Sequence, residues 1–151
     1  MPLEKIDIAF LPWDQARNEA YRIRELVFIK EQGVPKELEI DEHDPSAIHV
    51  LAQYDGQCIG TARLVSLGNG QAQIGRMAVL ANYRGRGAGR TIMDQLLLMA
   101  KSKGIYAFIL HAQLSAIPFY EKLGFIAQGP IYDEAGIPHR NMMLNVPNSF
   151  Q

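Results

Sequence analysis

The spacing of apolar side chains predicts that the chain has an early helix, over about residues 14–30. Four apolar positions in this stretch recur at helical spacing and share one face, namely Ala16, Ala20, Ile23 and Val27. Asp14 is the expected N-cap, because its carboxylate can accept a hydrogen bond from a free N–H group of the first turn. Gly33 and Pro35 are then expected to end the helix.

Strand patterns dominate the following stretch, from Ile48 to Leu67. Asp55-Gly56 is a strong signal for a two-residue hairpin turn, and it separates the segments HVLAQY and QCIGTARLV. Gly68-Asn69-Gly70 is a second predicted turn, after which QAQIGRMAVL follows as another strand. This part of the chain therefore predicts three consecutive strands.

Helical and strand patterns alternate in the second half. The loop NYRGRGAG leads into a helix that is predicted over 90–102, with a broad apolar face and Gly104 as its C-cap. The apolar segment IYAFILHA is typical of a buried parallel strand. Ser115 is the expected cap of a short helix that ends at Gly124. FIAQGPIYD and HRNMMLNV are the two last predicted strands, joined by the loop EAGIPH. Together these elements predict an α+β (α/β) fold with one mixed sheet, in a single domain over 1–151.

Composition narrows the class of protein. The chain is 48% hydrophobic and 21% charged, which is typical of a globular domain. Its net charge of -1 argues against a nucleic-acid or membrane-surface binder, because both usually carry a basic excess. The first residues, MPLEKIDIAF, do not resemble a signal peptide, and no window approaches the ~18 apolar residues of a membrane span. We therefore expect a soluble, cytoplasmic protein.

Two short segments concentrate charge. Residues 37–44, ELEIDEHD, carry five carboxylates, and residues 84–90, RGRGAGR, carry three arginines and three glycines. A glycine-rich loop between a strand and a helix is an arrangement that binds phosphate, because backbone N–H groups and the helix dipole both favour an anion. Neither common nucleotide motif fits: G-x-G-x-x-G from Gly85 would need glycine where Arg90 stands, and a P-loop would need lysine there.

The loop instead resembles the signature of the GNAT superfamily of acyl-CoA-dependent N-acetyltransferases. Their pattern [RQ]-x-x-G-x-[GA] matches residues 84–89, RGRGAG, between an apolar strand and an amphipathic helix. Downstream, residues 119–125, FYEKLGF, resemble the second hallmark of the superfamily. The segments RELVFIKEQGVP and ELEIDEHD are similar to the small bacterial ElaA-type branch. The resemblance covers nearly the whole chain, and it implies a mixed, mostly antiparallel central sheet flanked by helices.

The resemblance also implies a co-substrate site. Backbone N–H groups of the glycine-rich loop would bind the pyrophosphate of acetyl-CoA, and a strand that splays from its neighbour would hydrogen-bond to the pantetheine arm. No metal or second cofactor is implied. The implied cofactor-binding residues are Met77, Ala78, Val79, Arg84, Gly85, Arg86, Gly87, Ala88, Gly89 and Arg90.

The resemblance suggests catalytic residues as well. Tyr120 occupies the position where many of these enzymes place a hydroxyl near the coenzyme sulfur, and its implied role is to protonate the departing thiolate. A packed core aromatic is the alternative. The amine must also lose a proton, for which the candidate bases are Glu31, Glu42, His49 and His111. We favour His111, which ends the strand that leads toward Tyr120, and Glu31, which follows the first helix.

The acidic residues 37–44 would attract a cationic amine or form a solvated loop. Arg63 and Arg76 lie in strand patterns and are expected to form structural ion pairs with Glu31 or Asp41.

Two further features have structural interpretations. Cys58 lies in a strand pattern without an activating partner, so we expect a small buried side chain rather than a nucleophile. His43, Asp41 and Asp44 have the residue types of metal ligands, but their spacing matches no known site. We therefore expect no metal.

The sequence thus favours an N-acetyltransferase that transfers an acetyl group from acetyl-CoA to a primary amine by direct attack in a ternary complex. A non-catalytic acyl-CoA-binding sensor or assembly module is the main alternative. A homoserine-lactone-type synthase fits less well, because those chains are usually longer. The acceptor, the general base and the acyl chain length stay open, and the resemblance is compatible with a homodimer formed through the last strands.

Overall fold

The computed structural model describes residues 2–147, in which the helices and strands alternate much as the apolar spacing predicts. The strands are β1 Asp7–Leu11, β2 Ile48–Tyr54, β3 Gln57–Gly68, β4 Gln71–Val79, β5 Ala107–Gln113, β6 Ile126–Glu134 and β7 Ile137–Asn145. The α-helices are α1 Trp13–Arg24, α2 Ala88–Ser102 and α3 Ile117–Glu121. A π-helical segment, Glu25–Glu31, continues α1, and short 3-10 turns lie at Lys36–Leu38, Asp44–Ser46, Ala81–Tyr83 and Leu114–Ala116.

The strands form one sheet in the order β1-β2-β3-β4-β5-β7-β6. Neighbouring strands run antiparallel except β4 and β5, which pair in parallel. The predicted mixed, mostly antiparallel sheet flanked by helices is therefore confirmed. In the described part of the chain, no helix has the length and apolar character that crossing a membrane requires.

The two longer helices pack on opposite faces of the sheet. On β2, Val50 and Ala52 belong to the core beneath α2, whereas Leu51 between them belongs to the core beneath α1. Alternate residues of a strand point to opposite faces, so the sheet has an apolar layer on each side. Gly60 of β3 permits close packing of α2, because a Cβ there would lie only 2.9 Å from Cδ1 of Ile92.

Two turns form as their residues predict. Asp55 and Gly56 both have positive φ, 52° and 75°, as a type I′ hairpin turn requires. The C-cap of α2 is Lys103 rather than the predicted Gly104, and Gly104 follows it with a φ of 81°, the left-handed conformation that commonly ends a helix.

Several predicted boundaries are wrong. β1 was not expected. α1 begins after Pro12, so Asp14 lies in its first turn rather than at the N-cap. α2 begins at Ala88, two residues before the prediction. Ser115 caps no helix: it lies in a 3-10 turn, and α3 begins after Ala116 without a side-chain cap.

The predicted six-residue loop EAGIPH is also wrong. β6 continues to Glu134 and β7 begins at Ile137, so only Ala135 and Gly136 connect them. Both residues have positive φ, 54° and 81°. The tight turn places the ends of β6 and β7 side by side. Glu134 and His139, which lie at these ends, belong to the site described next.

Candidate active site

A gap opens between β4 and β5 in the middle of the sheet. The two strands pair only from Gln71↔Ala107 to Ile74↔Leu110, although β4 continues to Val79 and β5 to Gln113. Beyond this point the backbone of β4 from Met77 to Val79 has no partner strand on the β5 side within the described residues. Free N–H and C=O groups of this kind can hydrogen-bond to an extended ligand.

A β-bulge coincides with the start of this gap. Arg63 pairs with Gly75 and Thr61 with Ala78, so Arg76 and Met77 together face one residue of β3. Arg76 has a φ of 52°, an uncommon conformation for a residue other than glycine. Its guanidinium is held by the Glu39 carbonyl at 3.1 Å and the Asp41 carboxylate at 3.1 Å. The charge contacts of the segment 36–44 thus hold β4 in its bent course.

The glycine-rich loop lies at the open end of the gap and leads into α2. Gly85 and Gly87 have φ of 70° and 89°, and Gly87 is the N-cap of the helix. The carbonyl of Arg86 accepts a hydrogen bond from the N–H of Leu3 at 2.8 Å. The first N–H groups of a helix have no intrahelical partner and favour an anion, so this loop fits a phosphate-bearing ligand.

A cavity of about 1070 Å³ joins the gap to the loop. It is lined by most of the predicted site residues: Glu31, Met77, Ala78, Val79, Arg84, Gly85, Gly87, Gly89, Arg90, His111 and Tyr120. Arg86 and Ala88 are not among the lining residues, and Ala88 is buried in the core. The predicted bases Glu42 and His49 do not line the cavity either.

Tyr120 lies at the inner end of α3 and is 8% exposed. Its ring makes edge-to-face contacts with Phe119 and Phe125, with ring centroids 5.0 and 5.9 Å away. Burial raises the pKa of Tyr120 to about 12. The phenol therefore stays protonated at every ordinary assay pH, and it can act as a hydrogen-bond donor toward the cavity.

His111 belongs to a cluster that the sequence analysis did not foresee. Its Nδ1 lies 2.9 Å from Oε1 of Glu134, while Oε2 of the same carboxylate lies 3.6 Å from Nε2 of His139. All three side chains line the cavity. They come from the three adjacent strands β5, β6 and β7, so only the sheet register brings them together.

Glu31 forms an ion pair with Arg84. Its carboxylate forms two hydrogen bonds with the Arg84 guanidinium, at 2.6 and 2.7 Å, and Arg84 also donates to the Val79 carbonyl at 2.8 Å. The hydrogen bond from Arg84 lowers the pKa of Glu31. Both carboxylate oxygens are occupied, so this contact suits a structural ion pair between the π-helical segment and the glycine-rich loop better than a proton acceptor.

The neighbouring Gln32 makes a second contact across the gap. Its side-chain oxygen accepts a hydrogen bond from the Gln113 amide at 2.9 Å, at the end of β5. The last residue of the π-helical segment, Glu31, therefore contacts the loop after β4, and Gln32 directly after it contacts the end of β5.

His49, the remaining predicted base, is fully buried in a structural role. Its Nε2–H donates to the Asp44 carbonyl at 2.9 Å, and its Nδ1 lies 3.4 Å from the Arg24 guanidinium. Burial lowers the pKa of His49, so the imidazole is neutral with both nitrogens engaged.

The acidic segment is a charged network rather than a freely solvated loop. Arg63 binds Asp41 with two hydrogen bonds, at 2.6 and 2.8 Å, and it binds the fully buried Asp44 at 3.0 Å. The expected pairing with Asp41 is therefore present, whereas Glu31 pairs with Arg84. Burial alone would raise the pKa of Asp41, but the hydrogen bond and charge of Arg63 outweigh it and hold that pKa at about 2.

Cys58 is buried outside the cavity, and burial raises the pKa of its thiol, in keeping with a packing role. Among residues 2–147, no three histidine, cysteine, aspartate or glutamate side chains are arranged to bind a metal ion.

Comparison with known proteins gives one consistent result. Residues 15–146 match the family model of the acetyltransferase (GNAT) domain. The uncharacterized N-acetyltransferase YjcF of Bacillus subtilis is 38% identical over 131 residues, which cover 86% of this chain and 93% of that protein.

Two solved structures have the same fold. Escherichia coli ElaA superimposes with a TM-score of 0.83 at 25% identity, over 93% of this chain and 100% of that one. An acyl-CoA N-acyltransferase from Pseudomonas aeruginosa superimposes with a TM-score of 0.83 at 28% identity, over 93% of this chain and 99% of that one.

Proposed function

The chain belongs to the GNAT acetyltransferase family, and on this premise we propose that it transfers an acetyl group from acetyl-CoA to a primary amine. The observation that carries the proposal is the junction of the β4–β5 gap with the glycine-rich loop. One cavity connects unpaired strand backbone to the N-terminus of α2. These are the two groups of hydrogen-bonding sites that an extended pantetheine arm and its pyrophosphate require.

The residues of the gap fit acetyl-CoA as a substrate. Backbone groups of Met77 and Ala78, and the N–H of Val79, would hydrogen-bond to the pantetheine amides, because the Val79 carbonyl already accepts from Arg84. The N–H groups of residues 84–90 would bind the pyrophosphate. Gly85 and Gly87 are in keeping with this assignment, because both have positive φ, which glycine adopts without strain, and no atom lies within 4 Å of a Cβ built at either residue. Arg90 at the start of α2 is half-exposed and is paired with Asp94 at 3.1 Å, so this assignment rests on the backbone N–H groups of the loop.

Tyr120 is the proposed donor to the leaving sulfur. Its pKa of about 12 lies above the ~8.5 of an ordinary thiol, so full proton transfer from the phenol to a thiolate is unfavourable. We therefore assign Tyr120 the stabilisation of the developing thiolate by a hydrogen bond. Because a thiolate is already a fair leaving group, its loss should slow the reaction without abolishing it.

Direct transfer in a ternary complex fits the same geometry. The one cysteine, Cys58, is buried away from the cavity, so it is not placed to carry an acyl group. The amine would therefore attack the thioester itself, and His111 on β5 supplies an imidazole to the lining of the cavity.

The test is thiol release from acetyl-CoA in the presence of a panel of primary amines. Wild-type protein should release thiol only when an amine is added, with one acetylated amine formed per thiol. A non-catalytic acyl-CoA-binding module would bind acetyl-CoA but release no thiol with any amine. The absence of both binding and release would refute the proposal.

A further inference from the structure

The charged side chains of the cavity differ in how they are neutralised. Four arginines line it, and each has a carboxylate partner: Arg63 with Asp41 and Asp44, Arg76 with Glu39 and Asp41, Arg84 with Glu31, and Arg90 with Asp94. Among the described carboxylates of the lining, Glu134 is the one whose ion-pair partners are histidines alone. When those histidines are neutral, Glu134 is a negative charge without a cation beside it.

The hydrogen bonds of His111 and His139 determine which ring nitrogen of each carries the proton. His139 donates its Nδ1–H to the Ile137 carbonyl at 2.7 Å, so its Nε2 is the nitrogen that faces Glu134. His111 donates Nδ1–H to Glu134, which leaves Nε2 as the nitrogen with a lone pair. Glu134 therefore orients His111 in the way that a buried carboxylate orients the histidine of a catalytic triad.

A tyrosine holds this arrangement in place. The Tyr132 hydroxyl donates to the Asn141 side chain at 2.5 Å. Its ring meets His111 edge-on, with centroids 5.9 Å apart, and stacks on His139 at 6.2 Å. On the side of β4, Gln73 and Gly75 carry no titratable group. Among the described residues, the titratable side chains in contact with His111 are Glu134 and Tyr132, and Glu134 in turn contacts His139.

We infer that the acceptor is a cationic primary amine with no carboxylate next to its nitrogen, received by Glu134 and deprotonated by His111. This inference rests on the proposed function and names the acceptor class and the base. A free α-amino acid would bring a second carboxylate toward Glu134, while the arginines of the cavity are already paired. Repulsion between like charges should disfavour it by roughly tenfold.

The proton transfers balance as follows. Nε2 of neutral His111 takes one proton from the ammonium group, and the resulting imidazolium keeps its Nδ1–H on Glu134. The neutral amine forms the N–C bond, and the C–S bond breaks. The second proton shed by the nitrogen ends on the sulfur, and His111 returns its proton to solvent.

The substrate test compares amino acids with their amides, because each pair shares a side chain and differs in the carboxylate. Phenylalaninamide and alaninamide should have kcat/KM values roughly tenfold above those of phenylalanine and alanine. Replacing Glu134→Gln should reduce that preference. Equal or greater activity with the free amino acids would overturn the inference, as would the absence of reaction with every amine while acetyl-CoA binds.

The residue test uses His111→Gln and Glu134→Gln, with Glu19→Gln as the control. Glu19 is a surface carboxylate of α1 that pairs with Arg22, and its side chain has the same 46% exposure as Glu134. Loss of the base should lower kcat/KM by about 100-fold or more. Glu134→Gln should lower it at least about tenfold, because the imidazole loses the carboxylate that orients it. Glu19→Gln should match wild type.

Two further measurements separate this inference from the proposed function. Stabilisation by acetyl-CoA should be equal in wild type and all three variants, because none of these residues belongs to the cofactor loop. If acetyl-CoA stabilises none of them, the proposed function fails; if it stabilises all and Glu134→Gln behaves like Glu19→Gln, only the inference fails. Long-range ¹H–¹⁵N spectra should show the proton of neutral His111 on Nδ1, and a proton on Nε2 instead would contradict the assigned base.

Discussion

Removal of the carboxylate of Asp44 should destabilise the protein more than removal of any surface carboxylate. Asp44 is fully buried, and its Oδ1 lies 3.0 Å from Nη1 of both Arg24 and Arg63. Within residues 2–147 it is the ion-pair partner of Arg24, whose guanidinium is itself fully buried. Asp44→Asn keeps the side-chain shape but leaves Arg24 without its counter-charge.

The expected cost follows from this burial. Breaking a buried ion pair by removing one partner costs about 3–5 kcal/mol, because the remaining charge stays desolvated. For a domain of this size each kcal/mol lowers Tm by roughly 2–4 °C, so Asp44→Asn should unfold at least about 6 °C below wild type. Burial is also the main reason that the pKa of Arg24 is lowered, which indicates how strongly this site disfavours an unpaired charge.

Asp94→Asn is the matched control. It also removes an aspartate from an arginine, at 3.1 Å from Arg90, but both side chains are about half-exposed on one helix face. Exposed pairs of this kind contribute about 0.3–0.5 kcal/mol. Thermal and urea unfolding of both variants would compare the two costs.

Equal losses in Asp44→Asn and Asp94→Asn would refute the reasoning. Adding Arg24→Met to Asp44→Asn should recover part of the stability, since it removes the unpaired charge. A double variant that is less stable than Asp44→Asn would show that the loss arises from something other than this charge.

Three other predictions concern the cofactor gap and the acidic segment. Tyr120→Phe should lower kcat by about 10–100-fold and leave stabilisation by acetyl-CoA unchanged, since it removes only a hydrogen bond to the leaving sulfur; equal kcat in a thiol-release assay would remove Tyr120 from the mechanism. Gly87→Ala and Gly56→Ala should lose similar stability, because both glycines have positive φ and open space at Cβ, but only Gly87→Ala should weaken acetyl-CoA binding in calorimetry. The pKa of Asp41 lies at about 2 instead of the ordinary 3.8, so its ionised form stabilises the fold above about pH 4, by about 2 kcal/mol, and this contribution disappears as the pH falls from about 4 to 2. The stability gap between wild type and Asp41→Asn should therefore shrink over that range in urea unfolding, and a gap independent of pH would contradict the ion pairs.

Local patterns were sufficient to predict most of the fold. The hairpin at Asp55-Gly56, the amphipathic α2 and the apolar β5 are each encoded by neighbouring residues, so periodicity and turn chemistry predict them. β1 could not be predicted in this way. It has only five residues, and it is a strand because it pairs with β2, more than thirty residues away.

The candidate site was predictable where its residues are contiguous. The loop 84–90 and Tyr120 are recognised from short motifs. Most of these residues line one cavity in the structure. The Glu134 cluster does not follow from any motif, because the turn Ala135-Gly136 lacks the usual asparagine or aspartate signal and its sequence predicts a longer loop. Only the register of β5, β7 and β6 brings Glu134 between His111 and His139.

Glu31 shows that a local pattern can also suggest a role that the tertiary structure does not support. Its place after the first helix suggested a catalytic base, yet the side chain that it meets lies 53 residues further along the chain. An ion pair of this separation is decided by tertiary packing, and no local pattern distinguishes it from a free carboxylate.

The most direct test of the central claim is thermal unfolding of the wild-type protein with and without acetyl-CoA, with NAD and ATP as controls. A ligand at 100 times its dissociation constant stabilises a protein by about 2.7 kcal/mol. For this domain that corresponds to a rise in Tm of roughly 5–10 °C. We predict this rise with acetyl-CoA and not with NAD or ATP. No rise with acetyl-CoA up to millimolar concentration would contradict the assignment of the β4–β5 gap and the glycine-rich loop as an acetyl-CoA site.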